Sequence, residues 1–580
     1  MRLLIIGGVA GGMSAATRAR RLDESAEIIV FEMGRHVSFA NCGLPYFIGG
    51  TISDRAKLLV QTPERLRERF NIDVRTRSQV TAIDRQARTV TVQDLDSGST
   101  YVETYDKLVL APGAQCVRPR IPGVDDPAVQ CLRDLDDMDQ IGAHVDAAAD
   151  PPDCADAAKT QAGRAVVIGG GFIGIEMAEN LIERGLNVAV VEMLPQVMPT
   201  LDLEMTTPIR HHLSQKGVAL FLSNPVAAIE RNGQGALCVR LRDGRGLACD
   251  FAVLAVGVRP NTELARAAGL EMGETGGIKV DEHMRTSDPD VYAVGDAVEV
   301  LDYVLGGPVL VPLAGPANRQ GRIAADNMLG RSSTFRGVQG TAICKVFDLT
   351  AASTGPNEKT LQRLGIPHEK VYVHPGSHAG YYPGAATMAV KLLFSTSDGR
   401  VLGAQVVGRK GVDKRIDVLA TTIQARMTVY NLEQAELAYA PPYGAAKDPI
   451  NMAGFVAANH LRGDVDIIHA EDLDGTATVL DVRTKSEFDE GHIPGSLHIP
   501  LDDLRQRLGE VPRGGKLAVC CGVGLRAYVA CRILKQNGFD AANIPGGFTT
   551  YCHYHPEDER ECAELKSAAE REAAFWAGVE

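Results

Sequence analysis

Two of the twelve cysteines stand in sequence surroundings that favour chemistry over packing. Cys42 lies in the stretch Ser38-Phe39-Ala40-Asn41-Cys42-Gly43, shortly after an apolar strand pattern that ends in Glu32. Cys521 ends another apolar run and begins Cys521-Gly522-Val523-Gly524-Leu525-Arg526, whose glycines let successive N–H groups turn inward around an anion. A thiolate is the nucleophile in sulfur exchange, so both positions predict reactions at sulfur. Buried packing is the ordinary role of a cysteine, and the others are interpreted that way.

Two glycine-rich turns, each between an apolar strand and a helix, predict dinucleotide binding. The turn over residues 169–174 fits G-x-G-x-x-G completely, and the strand after its helix leads into Glu192. The turn over residues 7–12 has Val9 where the second glycine is expected, so alone it equally fits an ordinary turn of a doubly wound sheet. Glycine is needed there because a pyrophosphate must approach the N–H groups of a helix amino terminus.

The acid after the second turn indicates which nicotinamide cofactor is used. Glu192 can accept hydrogen bonds from ribose hydroxyls but would repel a 2′-phosphate. NADH is therefore expected in preference to NADPH. NADPH stays open, because a basic residue from elsewhere in the chain could reverse this preference.

Length and composition limit the remaining functions. A chain of 580 residues is expected to form roughly three or four domains. A net charge of −13 argues against a nucleic-acid partner. The sequence has no export signal and no apolar run of the roughly 20 residues that a membrane helix requires. The cysteines form no C-x-x-C pair, which argues against a metal site and favours a reducing, cytoplasmic setting.

The pattern of elements changes along the chain. An Ala-, Asp- and Pro-rich stretch over residues 147–163 is expected to be a surface connection. From about residue 332 to 459, alternating strands and one helix predict an α+β domain. Alternation of strand and helix then restarts at about residue 478, which predicts a further small α/β domain, and a charged, Ala-rich tail follows from residue 556.

Two more strand ends complete a pattern that resembles a known family. The segments Asp106-Lys107-Leu108-Val109-Leu110-Ala111-Pro112-Gly113-Ala114 and Tyr292-Ala293-Val294-Gly295-Asp296-Ala297 are both strands that end in a glycine turn. With the two dinucleotide turns, residues 1 to about 455 resemble the flavoprotein disulfide reductases, in which an FAD domain is interrupted by an NAD(P)H domain. The resemblance implies cofactor contacts from Gly7, Gly8, Ala10, Gly11, Gly12, Glu32, Asn41, Ala111, Gly113, Gly169, Gly171, Gly174, Glu192, Gly257, Gly295, Asp296 and Ala314.

The stretch around Cys42 resembles one branch of that family. Dithiol reductases have a second cysteine about five residues on, whereas the next one here is Cys116. The single cysteine is similar to that of coenzyme A-disulfide reductases, a branch that also contains NADH-dependent persulfide and polysulfide reductases and NADH oxidases. The resemblance implies hydride transfer from NADH to FAD, electron transfer to sulfur bonded to Cys42, and a lowered pKa for the Cys42 thiol.

Further residues are implied around that thiol. Segments near residues 377–384 and 438–443 resemble parts that the family contributes across a homodimer interface. Tyr381 and Tyr439 are the expected proton donors to a leaving thiolate, with Tyr382 and Tyr443 as alternatives. The expected contacts to small-molecule persulfides or disulfides of coenzyme A are Ser38, Asn41, Arg18 and Arg21, the two arginines lying on one helix face. Interface packing and surface charge are the alternative roles of these tyrosines and arginines.

The carboxyl-terminal part resembles single-domain rhodaneses over about residues 465–552. The resemblance rests on Asp481-Val482-Arg483, on Glu487-Phe488, on Gly491-His492-Ile493-Pro494-Gly495-Ser496 and on the Cys521 loop. It implies that Cys521 carries a persulfide, held by the loop N–H groups and by Arg526. The adjacent Cys520 should point to the other side of its strand.

The expected architecture is α/β. It comprises two Rossmann-like dinucleotide-binding domains, an α+β dimerisation domain and a rhodanese-like α/β domain. The expected boundaries are residues 1–115 with 275–331 for FAD, 116–274 for NAD(P)H, 332–459 for dimerisation, 465–555 for the rhodanese domain and 556–580 for the tail.

The leading functional hypothesis is a reductase of coenzyme A persulfide or polysulfide. Cys521 would handle sulfane sulfur, and Cys42 would reduce it to sulfide. The alternatives are a coenzyme A-disulfide reductase for thiol homeostasis, an NADH oxidase or peroxidase that uses a Cys42 sulfenic acid, and a sulfur-carrier or sensing module without reductase activity.

Overall fold

A computed structural model describes residues 1–149, 163–231 and 235–556. The stretch expected to be a connection, residues 147–163, and the tail from residue 556 lie almost entirely outside these described residues. Contacts divide the chain into two compact units, residues 1–187 with 226–340, and residues 188–225 with those from 341 onward. Among the described residues, no helix combines the length and the apolar character that crossing a membrane requires.

The amino-terminal elements alternate strand and helix as the sequence predicts. They are β1 (Arg2–Ile6), α1 (Ala10–Leu22), β2 (Glu27–Phe31), α2 (Leu44–Ile48), α3 (Pro63–Phe70), β3 (Asp73–Arg75), β4 (Ser78–Asp84), β5 (Thr89–Asp94), β6 (Thr100–Thr104), β7 (Lys107–Leu110) and β8 (Ala114–Cys116). The apolar run of β1 is buried because β1 pairs in parallel with β2 on one side and with β7 on the other. The carboxyl ends of these strands therefore meet at one edge, where the first glycine turn begins.

The next elements carry the second glycine turn and return to the first sheet. They are β9 (Val129–Cys131), α4 (Leu135–Ala149), β10 (Arg164–Ile168), α5 (Phe172–Glu183), β11 (Asn187–Val191), α6 (Leu203–Gln215), β12 (Ala219–Phe221), β13 (Val226–Arg231), β14 (Leu237–Leu241), β15 (Gly246–Cys249), β16 (Phe251–Leu254), β17 (Val258–Pro260), α7 (Glu263–Ala267), β18 (Ile278–Lys279), β19 (Val291–Ala293), β20 (Val298–Leu301), β21 (Pro308–Val309) and α8 (Ala314–Met328). β19 joins the first sheet beside β7, giving the order β19-β7-β1-β2-β3. β10, β16 and β9 form a separate parallel set.

The following elements build an antiparallel sheet covered by helices. They are β22 (Ala342–Val346), β23 (Leu349–Thr354), α9 (Glu358–Arg363), β24 (His368–Val373), β25 (Met388–Ser395), β26 (Val401–Gly408), α10 (Val412–Gln424), α11 (Val429–Glu433) and α12 (Pro449–Leu461). The sheet order is β22-β23-β26-β25-β24. Every residue of β25 and β26 is buried, as expected of the central strands of a sheet that is covered on both faces.

The last elements form a parallel sheet with the order β27-β31-β30-β28-β29. They are β27 (Asp466–Ile467), β28 (Thr478–Asp481), α13 (Lys485–Glu490), β29 (Leu497–His498), α14 (Leu501–Leu504), β30 (Leu517–Cys520), α15 (Leu525–Gln536), β31 (Ala541–Asn543) and α16 (Gly547–Tyr554). Two apolar clusters cover its two faces, one containing Cys521 and the other Cys520. The prediction that these neighbouring cysteines point to opposite sides is confirmed.

The second unit is held together by a buried ionic cluster. The Lys391 ammonium, fully buried on β25, lies 2.9 Å from Asp202, 2.6 Å from Glu204 and 2.6 Å from Glu358. The three carboxylates are close enough to hold a metal ion, but the lysine already contacts all of them. Because these contacts and α6 tie residues 188–225 to this unit, the compact units differ from the boundaries expected for residues 116–274.

Candidate active site

The first glycine turn is built so that no side chain fits where it closes. A Cβ on Gly7, whose φ is +99°, would lie 2.0 Å from the Ala111 carbonyl oxygen. A Cβ on Gly12 would lie 1.9 Å from the Gly7 carbonyl oxygen. α1 begins at Ala10, and Val9 forms no side-chain hydrogen bond that caps it, so the first N–H groups of the helix face an anion site. This arrangement fits the pyrophosphate of FAD.

Two more glycines of this turn are also confined by close packing. A Cβ on Gly8 would approach Val37 to 2.7 Å, and one on Gly11 would approach Val294 to 2.9 Å.

Glu32 stands at the end of β2 with both carboxylate oxygens engaged by backbone. The Gly8 N–H and the Gly34 N–H each donate to it at 2.8 Å. These bonds fix the carboxylate beside the glycine turn, where a ribose would lie. The remaining acceptor capacity of each oxygen can receive a ribose hydroxyl.

Asp296 lies at the carboxyl end of β19 in the same unit. Burial raises the pKa of its carboxyl, and Arg133 acts in the opposite direction. The preceding Gly295, with φ of +85°, donates its N–H to Gln320 at 2.7 Å, which fixes the turn. Ala314, another expected cofactor contact, is the first residue of α8 and therefore lies at a helix amino terminus. A half-buried carboxylate beside a strand end fits a contact to FAD hydroxyls, as the family resemblance implies.

The remaining expected cofactor contacts on this side lie after β7. The Ala111 N–H donates to the Ile6 carbonyl at 2.7 Å, so Ala111 continues the sheet next to the glycine turn. Gly113 has φ of +67° and open space around its Cβ position. Its carbonyl accepts from Asn261 N–H at 2.9 Å.

Cys42 lies in a single turn of 3-10 helix over residues 41–43, directly before α2. The Asn41 side-chain oxygen accepts from the Cys42 N–H at 3.1 Å, which orients the turn. Upstream, Ser38 has φ of +49° and donates its N–H to the Gly8 carbonyl at 2.8 Å. The loop that carries the thiol is therefore hydrogen-bonded to the first glycine turn.

The charges around Cys42 differ from expectation. Although the residue is exposed, the protein around it desolvates the sulfur and raises its pKa, and Glu176 and Asp296 raise the pKa further. The protein groups therefore raise the pKa of Cys42, chiefly through desolvation, whereas the expected lowering includes the effect of the flavin. A thiolate formed there is a stronger nucleophile than one of low pKa. The Asp296 carboxylate is thus near enough to the Cys42 sulfur to act on its charge.

Glu176, on α5, accepts a hydrogen bond from the Tyr46 hydroxyl at 3.2 Å. Burial raises the pKa of the Glu176 carboxyl. No pattern around residue 176 indicates a neighbour of Cys42, so sequence reasoning had no means of finding this pair.

The second glycine turn repeats the construction of the first. A Cβ on Gly169, with φ of +111°, would lie 2.4 Å from the Ala255 carbonyl oxygen, and one on Gly174 would lie 1.9 Å from the Gly169 carbonyl oxygen. In contrast, the Cβ positions of Gly171 and Gly257 are open, so a ligand can approach there. α5 begins at Phe172, directly after Gly171, and no side chain caps its amino terminus. The turn fits a second pyrophosphate.

Glu192 belongs to the other compact unit and is buried to 8% exposure. Its N–H donates to the Phe221 carbonyl at 2.9 Å, and its carboxylate accepts from the Leu194 N–H at 2.9 Å. The carboxylate is thus fixed by local backbone after β11, as Glu32 is fixed after β2.

The two tyrosines expected to assist Cys42 are hydrogen-bonded to each other. Their hydroxyl oxygens are 2.8 Å apart, and both side chains are exposed, Tyr381 to 76% and Tyr439 to 48%. The hydrogen bond from Tyr439 raises the pKa of Tyr381. Tyr382 is instead packed edge-on against His378.

The loop after β30 forms a cradle around the buried Cys521 sulfur. The Gly524 N–H donates to this sulfur at 3.1 Å, and Gly524 has φ of +97°. Arg526 also interacts electrostatically with this cysteine. Its guanidinium also binds both carboxylate oxygens of Glu487, at 2.7 and 2.6 Å, which lowers the pKa of Glu487 to about 2. Such a cradle can hold an anionic sulfur.

Glu487 received no role from the sequence, although a signal for its position was present. Thr484 and Glu487 form a capping box at the start of α13, a pattern readable from their spacing. The capping box positions Glu487 in the first turn of α13, and the packing of the domain brings this turn next to Arg526.

Three family models cover most of the chain. Residues 1–321 match the pyridine nucleotide-disulphide oxidoreductases, residues 341–448 match the dimerisation domain of that family, and residues 466–553 match the rhodanese-like domain. The chain belongs to the pyridine nucleotide-disulphide oxidoreductase family. The predicted fold class is therefore confirmed, and the chain is an oxidoreductase that carries a rhodanese-like domain.

Individual relatives of this oxidoreductase are similar over long stretches. A coenzyme A disulfide reductase of Staphylococcus aureus (strain JH9) is 35% identical over 457 residues, which cover 79% of this chain and 99% of that protein. The crystal structure of reduced Bacillus anthracis CoADR-RHD is 47% identical with a TM-score of 0.92, over 96% of this chain and 98% of that chain. A NAD-dependent persulfide reductase from A. fulgidus is 39% identical with a TM-score of 0.88, over 95% of this chain and all of that chain.

The two arginines expected to hold coenzyme A differ in their surroundings. Arg18 is largely buried and forms an ion pair with Asp326 at 2.7 Å. Arg21 is exposed at the end of α1. Of the two, Arg21 has the side chain that solvent reaches.

Proposed function

We propose that this oxidoreductase is an FAD- and NADH-dependent reductase of coenzyme A persulfide or polysulfide that releases sulfide through Cys42. The observation that carries the proposal is the position of Cys42. Its loop is hydrogen-bonded to the first glycine turn through Ser38, and its sulfur interacts with Asp296. A thiol at that place can exchange electrons with a flavin bound by the same turn.

The comparisons include both a disulfide reductase and a persulfide reductase, so they support reduction of either kind of bond. The S. aureus disulfide reductase covers 79% of this chain, whereas the A. fulgidus persulfide reductase covers 95%. The larger coverage is consistent with a shared rhodanese-like part. Reduction of coenzyme A disulfide is the second candidate, because it uses the same thiolate on the same kind of bond.

Cys42, a tyrosine and Cys521 each have a separate role in the proposed reaction. The Cys42 thiolate attacks a sulfur–sulfur bond, so that one sulfur becomes bonded to Cys42 and the other leaves as a thiolate. Tyr381 or Tyr439, reaching across the proposed dimer, donates a proton to the leaving sulfur at the Cys42 of the other subunit. The first glycine turn, Glu32 and Asp296 would hold FAD, which would supply two electrons from NADH to return Cys42 to its thiolate. Cys521 holds sulfane sulfur as a persulfide within its cradle.

The cofactor and assembly follow from the same residues. Glu192 selects NADH, since its fixed carboxylate would repel the 2′-phosphate of NADPH. Arg21, Ser38 and Asn41 are proposed to contact coenzyme A, with Arg18 positioned through Asp326. We propose a homodimer, in line with the matched dimerisation domain. A reducing cytoplasm suits the described cysteines, all of which are free thiols.

The test compares substrates and variants of the purified FAD-loaded protein. NADH consumption and sulfide release are measured with coenzyme A persulfide, coenzyme A disulfide, polysulfide and oxygen. Persulfide or polysulfide is expected to give the fastest NADH consumption and sulfide release. This activity should be lost in Cys42→Ser. In Cys521→Ser it should be lower only with a substrate whose sulfur must first be transferred to another carrier. Equal turnover by Cys42→Ser would refute the single-thiol mechanism, and faster turnover of coenzyme A disulfide would favour the second candidate.

A further inference from the structure

The amino terminus of α16 binds the outer side of the Cys521 loop. The Phe548 N–H donates to the Cys521 carbonyl at 2.7 Å. The Gly522 carbonyl accepts two hydrogen bonds from Thr549, one from its N–H at 3.1 Å and one from its hydroxyl at 3.0 Å. Two successive carbonyls of the loop are therefore held by one helix terminus.

The backbone at the start of α16 is shaped for this close approach. Gly546 and Gly547 have φ of +74° and +59°, in the left-handed region that glycine adopts without strain. A Cβ on Gly547 would lie 2.1 Å from the Cys521 carbonyl oxygen, so a side chain there would push the helix off the loop. The contact between α16 and the Cys521 loop thus depends on the backbone of both segments.

The bonds to α16 decide which way the N–H groups of the loop point. In a trans peptide the carbonyl and the following N–H point in opposite directions, and the described residues contain no cis peptide bond. The Gly522 and Val523 N–H groups therefore point away from α16. Cys521 packs in the apolar cluster on one face of the sheet, whereas Phe548 packs against the cluster on the other face. Away from α16 is therefore the side of the Cys521 side chain.

The N–H groups on that side can receive an anion. Within the part of the chain that the structure describes, neither the Gly522 N–H nor the Val523 N–H has a hydrogen-bond acceptor. The next one along, of Gly524, donates to the Cys521 sulfur at 3.1 Å. Three successive N–H groups can thus stabilise negative charge on this sulfur or on a second sulfur bonded to it.

α16 is itself anchored beyond the loop, which gives Thr549 a fixed support. The hydroxyl of the buried Thr550 lies 2.8 Å from His374 Nε2, directly after β24. The Thr207 hydroxyl, on α6, donates to the His553 carbonyl at 2.8 Å. All of these residues belong to the second compact unit. Loss of the Thr549 hydroxyl should therefore loosen the loop while the helix stays in place.

We propose that Thr549 is a positioning residue for the sulfur chemistry of Cys521. By binding the Gly522 carbonyl with both its hydroxyl and its N–H, it keeps the Val523 N–H on the sulfur side of the loop. Thr549 does not touch the sulfur and acts through the peptide between Gly522 and Val523. The inference rests on the role of Cys521 in the proposed function, and it adds the residue that aligns the cradle.

Thr549→Val removes only the hydroxyl, whereas Thr549→Ser keeps it, and both are compared with the wild type as FAD-loaded full-length protein. Alkylation of Cys521 by iodoacetamide is followed from about pH 5 to about pH 10 by mass spectrometry of the tryptic peptide 517–526. The pH of half-maximal alkylation rate should rise by about 0.5 to 1 unit in Thr549→Val, because the thiolate loses an aligned donor. Thr549→Ser should match the wild type.

The same peptide carries an internal reference. Cys520 is fully buried, and burial raises its pKa, so it should stay unmodified while fragment ions report on Cys521. Thr478→Val is the matched control variant, since it makes the same change at an exposed threonine of β28 in the same domain. It should leave the pH profile unchanged.

Sulfur transfer from thiosulfate to cyanide is the second readout, and it separates this inference from the proposed function. Transfer should disappear in Cys521→Ser and fall about threefold to tenfold in Thr549→Val. A pH profile of Thr549→Val equal to that of the wild type, or an equal shift in Thr549→Ser or Thr478→Val, would overturn the positioning role. Transfer that persists in Cys521→Ser would instead overturn the proposed role of Cys521, and the alkylation profiles would still decide the role of Thr549.

Discussion

The guanidinium of Arg526 binds both carboxylate oxygens of Glu487, at 2.7 and 2.6 Å, and also interacts electrostatically with Cys521. The glutamate thus fixes the cation that faces the sulfur. The pair is about one-third exposed, so its contribution to stability is small. Its effect should appear in chemistry at Cys521 instead.

Glu487→Gln is therefore expected to lower sulfur transfer by Cys521 about tenfold while leaving the unfolding temperature nearly unchanged. The amide retains the shape but loses the charge that holds Arg526 in place. The measurement is sulfur transfer from thiosulfate to cyanide by the purified protein. Asp489→Asn is the control, because it breaks an exposed ion pair with Lys485 on the same helix. An equal loss in both variants would contradict a positioning role for Glu487.

Tyr381→Phe and Tyr439→Phe should each lower kcat for persulfide reduction by about tenfold to a hundredfold, because the leaving thiolate loses its proton donor. The hydroxyls form one hydrogen-bonded pair, so the double variant should lose little more than the single ones. Steady-state NADH oxidation measures the effect. Tyr382→Phe, at the residue packed on His378, should retain activity. Loss of activity in Tyr382→Phe alone would identify it as the donor.

Glu192→Gln should raise kcat/KM for NADPH relative to NADH by about tenfold, equal to about 1.4 kcal/mol, because a repulsive charge is removed. The carboxylate is fixed by the Leu194 N–H, which an amide oxygen can still accept from. Initial rates with both cofactors give the ratio. Glu183→Gln, at an exposed acid on α5, serves as the control and should leave the ratio unchanged. An unchanged ratio in Glu192→Gln would place the discrimination elsewhere.

The strands and helices that carry the glycine turns were predictable because their signals are local. The turn over residues 7–12 leads from β1 into α1, and the turn over residues 169–174 leads from β10 into α5, as the sequence predicts. Apolar runs, glycines and spacing are read within one segment, so tertiary contacts are not needed to find them.

The partners of the site residues were not predictable, because each comes from a distant segment. Arg18 was assigned to coenzyme A, yet it pairs with Asp326 on α8. Cys42 was expected to have a lowered pKa, yet Glu176 and Asp296 face it. These contacts depend on how the sheets and helices pack, which periodicity and motifs leave open.

Two histidines of the second unit should make its stability fall in mild acid. His374, after β24, bonds Thr550 on α16 at 2.8 Å and lies edge-on to His553. Burial lowers the pKa of His374 to about 4 and that of His553 to about 3, from 6.5, with the charges of His374 and His211 acting further on His553. Both histidines take up a proton at a higher pH in the unfolded chain than in the folded chain. Above pH 6.5 they are neutral in both states, so the free energy of unfolding is unaffected there. It should fall as the pH drops from about 6.5 to about 4.

The measurement is the urea midpoint of the full-length protein from pH 8 to pH 4. Each histidine contributes a slope of up to about 1.4 kcal/mol per pH unit within the window. His374→Gln keeps a hydrogen-bonding side chain opposite Thr550 and cannot titrate. The pH dependence of its unfolding free energy should therefore lack the contribution of one histidine. His492→Gln is the control, since that histidine is stacked on Phe488, away from this contact. Equal slopes for His374→Gln and the wild type would show that His374 does not carry the acid sensitivity.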